Sequence, residues 1–149
     1  MNTKKRIFFT GVWVTILLIA IDQITKYFAL TRLSGTSGIE VIPGVFELFY
    51  LENKGAAFGM LENRQWIFIL MALVMTAGIG WVYAKLPERR IYRLLRVICI
   101  LIAAGAVGNM IDRLVHHFVV DFLYVSLIDF PVFNIADCYV CIGAQIQKE

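Results

Sequence analysis

The chain has 149 residues, 60% of them hydrophobic and only 17% charged, with a mean hydropathy of +0.75. Charge is absent from whole segments and crowded between them, which excludes an ordinary soluble domain and indicates a single integral membrane domain over residues 1–149. The net charge of +3 is modest and its basic residues sit beside apolar runs, so a nucleic-acid partner is not expected.

The first helix is expected over about 7–30. Lys4, Lys5 and Arg6 precede it in the manner of a secretory signal. No small-x-small cleavage site closes the apolar run, however, so a retained anchor is expected. Asp22 lies roughly 24 Å along this helix, near the membrane interface. It can pair with Lys26 one turn on or orient a substrate. In the following loop, about 31–65, "IEVIPGVFELFYLEN" is rich in Val, Ile, Phe and Tyr with partial alternation and is punctuated by "NKGAAFG". That pattern predicts short strands and a turn on the membrane surface.

The second helix, about 66–84, contains "WIFILMALVMTAGIGWVY", 18 residues without charge and with aromatic residues at both ends. The third, about 97–113, carries Ala103, Ala104, Gly105, Ala106 and Gly108, which allow a second helix to approach closely, so it belongs inside a bundle. Near its end "GNMIDR" puts Asn109 and Asp112 on one face beside Arg113, a local polar clasp. A second loop occupies about 114–132, and a short fourth helix about 133–147. From Ile135 that last helix offers only a dozen apolar-leaning residues, against roughly 20 needed to cross the hydrocarbon. If the chain ends naturally at Glu149, Lys148 and Glu149 must snorkel or the bilayer must thin.

Lys and Arg cluster at the N-terminus and after the second helix (Lys85, Arg89, Arg90, Arg93, Arg96), which predicts that both termini are cytoplasmic. Apart from Glu88 and Glu149, every acid then falls on the outer side, and any chemistry belongs there. Asp129, in "SLIDFP", is a turn carboxylate. Asp121, in "FVVDFLYV", is a lone acid in an apolar, β-branched run: either a salt-bridge partner or a group held in a low-dielectric place. Asp137, in "FNIAD", fits the third position of a helix whose N-cap is Asn134, where a carboxylate reaches back to a free backbone N–H.

Capping does not account for a second isolated aspartate 16 residues upstream. Two carboxylates meeting at a partly dry interface are what an aspartic peptidase requires, since one proton is shared and no nucleophilic side chain, metal or cofactor is needed. Other chemistries find little support. His116 and His117 are adjacent and diverge, no serine sits in a nucleophile elbow, and Cys138-x-x-Cys141 lacks a second metal-binding pair; Cys99 lies in an apolar run like a small hydrophobe. A rival class, a proton-coupled carrier or lipid-binding subunit, predicts acids spread through the membrane's depth instead of on one side.

Taken together, "DQITKYF" (22–28), "NKGAAFG" (53–59), "GNMIDR" (108–113), "VVDF" (119–122) and "FNIAD" (133–137) resemble the lipoprotein signal peptidases, or signal peptidase II. The resemblance implies an all-α integral membrane protein of four helices with a small antiparallel β-sheet cradle on the outer surface of the bacterial inner membrane. It implies a hydrolase that removes the signal peptide from diacylglyceryl-modified prolipoproteins, cutting before the lipidated cysteine. Catalysis is carried onto Asp121 and Asp137, and substrate-binding or supporting roles onto Asp22, Asn53, Gly55, Asn109, Asp112, Arg113 and Asn134. The expected partners are the lipid-modified prolipoprotein, membrane lipid and globomycin-type peptide inhibitors, with the enzyme a monomer. Family members usually continue the fourth helix beyond the point where this chain stops.

Overall fold

A computed structural model describes residues 3–55 and 64–146. The end of "NKGAAFG" beyond Gly55 and the last three residues, Gln147, Lys148 and Glu149, lie outside the described residues. In chain order the elements are α1 (Thr3–Arg32), β1 (Ile39–Ile42), β2 (Phe46–Asn53), α2 (Gln65–Lys85), α3 (Arg93–Val115), β3 (Val119–Tyr124) and α4 (Ile135–Ile146). Short 3-10 turns, Arg90–Tyr92 and Ser126–Ile128, precede α3 and follow β3.

Three of the helices are long and apolar enough to cross a membrane, and α4, with 12 residues or about 18 Å, is not. The surface is inside-out relative to a soluble protein: Trp13 and Val74 are 69% and 66% exposed, and no residue of α2 is buried. An apolar perimeter of this kind is stable only in lipid.

α3 is the central helix, packed against α1, α2 and α4. It starts at Arg93, so Arg93 and Arg96 stand on its first turn and not in the connecting loop where the charge pattern had put them. Its small residues explain its position. A Cβ added at Gly105 would come within 2.5 Å of the Ala136 carbonyl oxygen on α4, and one at Gly108 within 2.5 Å of Asp22 Oδ2 on α1. Only glycine lets both neighbours approach so closely.

The three strands form one antiparallel sheet in the order β1-β2-β3. β1 and β2 are a hairpin turned by Pro43-Gly44, where Val45 N–H donates to Ile42 O at 2.9 Å and Gly44 adopts φ +68°. Pro and Gly at the two central positions match a tight turn needing a fixed φ and then a positive one. The third strand comes from the segment expected to be loop over 114–132. Val120 and Phe122 of β3 pack with Ala29 of α1, Leu33 just beyond its end, Leu48, Tyr50 and Ile135. By the two-residue alternation of a strand, Asp121 points to the opposite face.

Candidate active site

The ends of α1 and α3, the start of α4 and strand β3 converge on one polar cluster. Asp22, Asp112, Asp121, Asn134 and Lys26 are all at most 3% exposed, an unusual burial for such side chains. Each is paired or hydrogen-bonded, as burial requires.

Asn134 and Asp137 form a reciprocal cap at the start of α4. Asn134 Oδ1 accepts from Asp137 N–H at 3.0 Å, and Asp137 Oδ2 accepts from Asn134 N–H at 3.1 Å. This is a capping box with an Asn–Asp pair in place of the commoner Ser/Thr–Glu pair. The next free amide of the helix, Ala136 N–H, donates across the bundle to Asp22 Oδ1 at 2.9 Å. Asp22 therefore ties α4 to α1 while helping to satisfy a helix end that would otherwise be buried and unpaired.

Asn134 also reaches β3, where its Nδ2 donates to Asp121 Oδ1 at 2.6 Å. The other oxygen, Asp121 Oδ2, accepts from Asn53 Nδ2 at 2.9 Å. Gly55 sets the orientation of that amide, because its N–H donates to Asn53 Oδ1 at 3.2 Å and leaves only the NH2 group for Asp121. On the far side Asp137 Oδ1 accepts from Asn109 Nδ2 at 2.8 Å. Asp121 and Asp137 are thus linked through one residue, Asn134, and each has a further asparagine behind it.

Behind the asparagines lies a charge cluster. Lys26 Nζ stands 3.0 Å from Asp22 Oδ2, 3.1 Å from Asp112 Oδ2 and 2.8 Å from Asn109 Oδ1. Gln23 Nε2 bridges the same two acids at 3.2 Å and 2.9 Å, and Val120 N–H donates to Asp112 Oδ2 at 3.0 Å, tying α3 to β3. Arg113 is half-buried: its Nη1 donates to Asn109 O at 3.2 Å and its guanidinium lies 4.6 Å over the Phe68 ring of α2. The Arg113 Nε is buried without a hydrogen-bond partner.

Burial pushes the Asp121 carboxyl up from 3.8 to about 6, and the negative charge of Asp137 adds to the rise. The hydrogen bonds from Asn53 and Asn134 and the charge of Lys26 act against it. Asp121 therefore takes up a proton far more readily than an ordinary aspartate. Asp129 lies apart: it closes a turn at φ +49° and accepts from the Tyr124 hydroxyl at 2.7 Å.

A family model described as signal peptidase (SPase) II matches residues 14–147. This chain belongs to the signal peptidase II family. Similar curated proteins are the lipoprotein signal peptidases of Symbiobacterium thermophilum, 48% identical over 133 residues (88% of this chain, 86% of the relative), and Clostridioides difficile, 47% identical over 130 residues (87% and 86%). That of Streptococcus pyogenes is 35% identical over 140 residues (94% and 89%). Two solved structures, both described as bacterial membrane enzymes, share the fold at TM-scores of 0.83 and 0.82 with 31% and 30% identity. Each covers 93% of this chain, and this chain covers 84% and 90% of theirs.

Sequence reasoning brought this family's fold and the five motif blocks together, and every site residue it named from Asp22 to Asp137 falls in the cluster just described. The expected pairing of Asp22 with Lys26 one turn on is present at 3.0 Å, but the contacts of Lys26 with Asp112 and Asn109, and the parts of Gln23 and Phe68, were not foreseen, because they join residues far apart in sequence.

Proposed function

We propose that the protein is a membrane aspartic peptidase that removes the signal peptide from lipid-modified prolipoproteins, with Asp121 and Asp137 as its catalytic pair. The observation that carries this reading is the hydrogen bonding of both carboxylates to one residue, Asn134, beside the raised carboxyl of Asp121. Two acids so close in space do not ionise equally. Asp121, with its raised carboxyl, is the member that takes up a proton more readily, while Asp137 lies at the N-terminus of α4 and accepts two N–H donors.

In this scheme Asp137 removes a proton from water, which attacks the scissile carbonyl, while Asp121 donates its proton to the carbonyl oxygen. The resulting gem-diol collapses as Asp137 passes its proton to the leaving amine and Asp121 takes a proton back from a gem-diol hydroxyl, which breaks the C–N bond and restores the pair. Asn53 and Asn109 hold the two carboxylates at fixed angles, and Arg113 lies where it can meet the substrate's backbone carbonyls. The basic residues at the other ends of the helices support a topology with both termini in the cytoplasm of a bacterial inner membrane and the aspartates at the outer face. The proposed working unit is a monomer, and globomycin-type peptides compete with the substrate at this site.

Purified protein incubated with a diacylglyceryl-modified prolipoprotein should release the signal peptide, and globomycin should block the release. Asp121→Asn and Asp137→Asn should each abolish cleavage while leaving the thermal transition in place. Cleavage retained by either folded variant would exclude the pair.

A further inference from the structure

At the end of the bundle opposite the aspartates, α1, the α2–α3 connection and α3 enclose a cavity of 690 Å³. Arg6, Arg89, Arg90, Arg93 and Arg96 line it, with Glu88 the acid among its lining residues. Among the described residues none of these arginines is in an ion pair, and Arg96, itself buried, donates to the Pro87 carbonyl. Five guanidinium groups around one acid leave a strong excess of positive charge facing a cavity.

A second cavity of 400 Å³ continues from the first, sharing Gly11, Tyr83 and Ile100. It is an apolar groove along the membrane-facing side, walled by Val12 and Ile16 of α1 and Ile79 and Gly80 of α2, with Cys99 and Ala103 of α3 at its floor. The groove exists because α1 and α2 both pack on α3 and scarcely on each other. They meet at Tyr83, whose hydroxyl donates to Ile7 O at 3.1 Å over the small Gly11.

We propose that this two-part site binds an anionic glycerophospholipid of the bilayer, its phosphate among the arginines and one acyl chain in the groove. The argument is complementarity at both ends. Guanidinium forks match phosphate oxygens, basic pockets between membrane helices take anionic headgroups, and the groove offers an acyl chain an apolar trough within reach of the charged cavity. A free phosphate would use only the first part and a neutral lipid only the second.

Native mass spectrometry of the full chain, released from micelles holding phosphatidylglycerol or phosphatidylcholine, tests the site. A phosphatidylglycerol adduct should form preferentially. Arg90→Gln and Arg93→Gln should weaken it about fivefold each, whereas Lys85→Gln, outside both cavities, should not. Gly80→Phe should also weaken it, because Gly80 lines the groove and a Cβ built there meets nothing within 4 Å, which leaves the ring room to project into the groove. Gly78→Phe, in similarly open space but outside the groove, should leave binding unchanged. Equal binding of the two lipids, an equal effect of Lys85→Gln, or full competition by glycerol phosphate alone would overturn the proposal. So would a Gly80→Phe protein that binds as the parent does.

Discussion

Replacing Lys26 by Met tests how the buried charge cluster supports the site. The substitution keeps most of the length and the apolar character of the stem and removes the ammonium that stands 3.0 and 3.1 Å from Asp22 and Asp112. Those carboxylates are 0% and 2% exposed, so water cannot replace the lost charge. Removing one partner of a buried ion pair costs about 3–5 kcal/mol. The low end applies here, because Asp22 keeps the Ala136 N–H and Asp112 the Val120 N–H, and Gln23 still bridges both. A loss of about 3 kcal/mol corresponds to a fall in Tm of roughly 6–12 °C for a chain of this size, measurable by differential scanning fluorimetry in detergent.

The same substitution should act on catalysis through Asn109. Lys26 Nζ donates to Asn109 Oδ1, which leaves the Asn109 NH2 group pointing at Asp137 Oδ1. Without the lysine only the longer 3.2 Å bond from Asn134 Nδ2 still holds the amide oxygen, so the amide is fixed less firmly, and misplacement of Asp137 by about 1 Å costs on the order of 10²-fold in kcat. KM should change little, since Lys26 is buried and is a positioning residue. Adding Asp112→Asn to Lys26→Met should recover part of the stability, because only one buried carboxylate then lacks a cation. A Lys26→Met protein within 2 °C of the parent Tm, or one with full kcat, would refute the reasoning.

Other expectations follow from single contacts. The Asp121 carboxyl should titrate near pH 6 by infrared spectroscopy, protonated below and ionised above; Asp137→Asn removes a repelling charge and should lower that midpoint, whereas Asn53→Ala removes a hydrogen bond to the anion and should raise it. Because ionisation of Asp121 is harder in the folded protein than at its ordinary value of 3.8, its contribution to stability is fully present below about pH 4 and is lost as pH rises through about 6. Gly105→Ala should force α4 away from α3 at the Ala136 carbonyl and cost about 1–3 kcal/mol, read as a lower Tm. Asn134→Ala should cost about 1 kcal/mol as a lost helix cap, yet depress kcat far more than that, because the same side chain also holds Asp121.

Much of the fold was legible because the physics that sets it is local. Charge-free runs mark α1, α2 and α3, the small residues of α3 mark its central place, and the Val-, Ile- and aromatic-rich run after α1 marks the strands of the hairpin. The cap of Asn134 and Asp137 was readable for the same reason, since both partners lie within one helical turn. What could not be read depends on partners far apart in sequence. The Asp22 bond to Ala136 N–H spans 114 residues and the Asn53 bond to Asp121 spans 68. The position of Asp121 depends on its pairing opposite Leu51, beyond an irregularity between Leu48 and Leu51. A slip of one residue there would turn Asp121 to the other face of the sheet.

The sequence left two readings of Asp121 open, a salt-bridge partner or a group held in a low-dielectric place, and the structure separates them. Among the described residues no cation pairs with Asp121; two neutral amides hold it, while Lys26 is committed to Asp22 and Asp112. This division has a chemical consequence. A lysine in direct contact would keep the carboxyl ionised at all working pH values and remove it as a proton donor. Amides instead fix its geometry and restrain its acidity only partly, so burial and Asp137 still raise it. The cation one layer back makes the asparagines rigid through Asn109 without neutralising the pair. Polar residues that look redundant in the sequence therefore have separate tasks: charge for holding the bundle end together, amides for holding two carboxylates that remain free to exchange a proton.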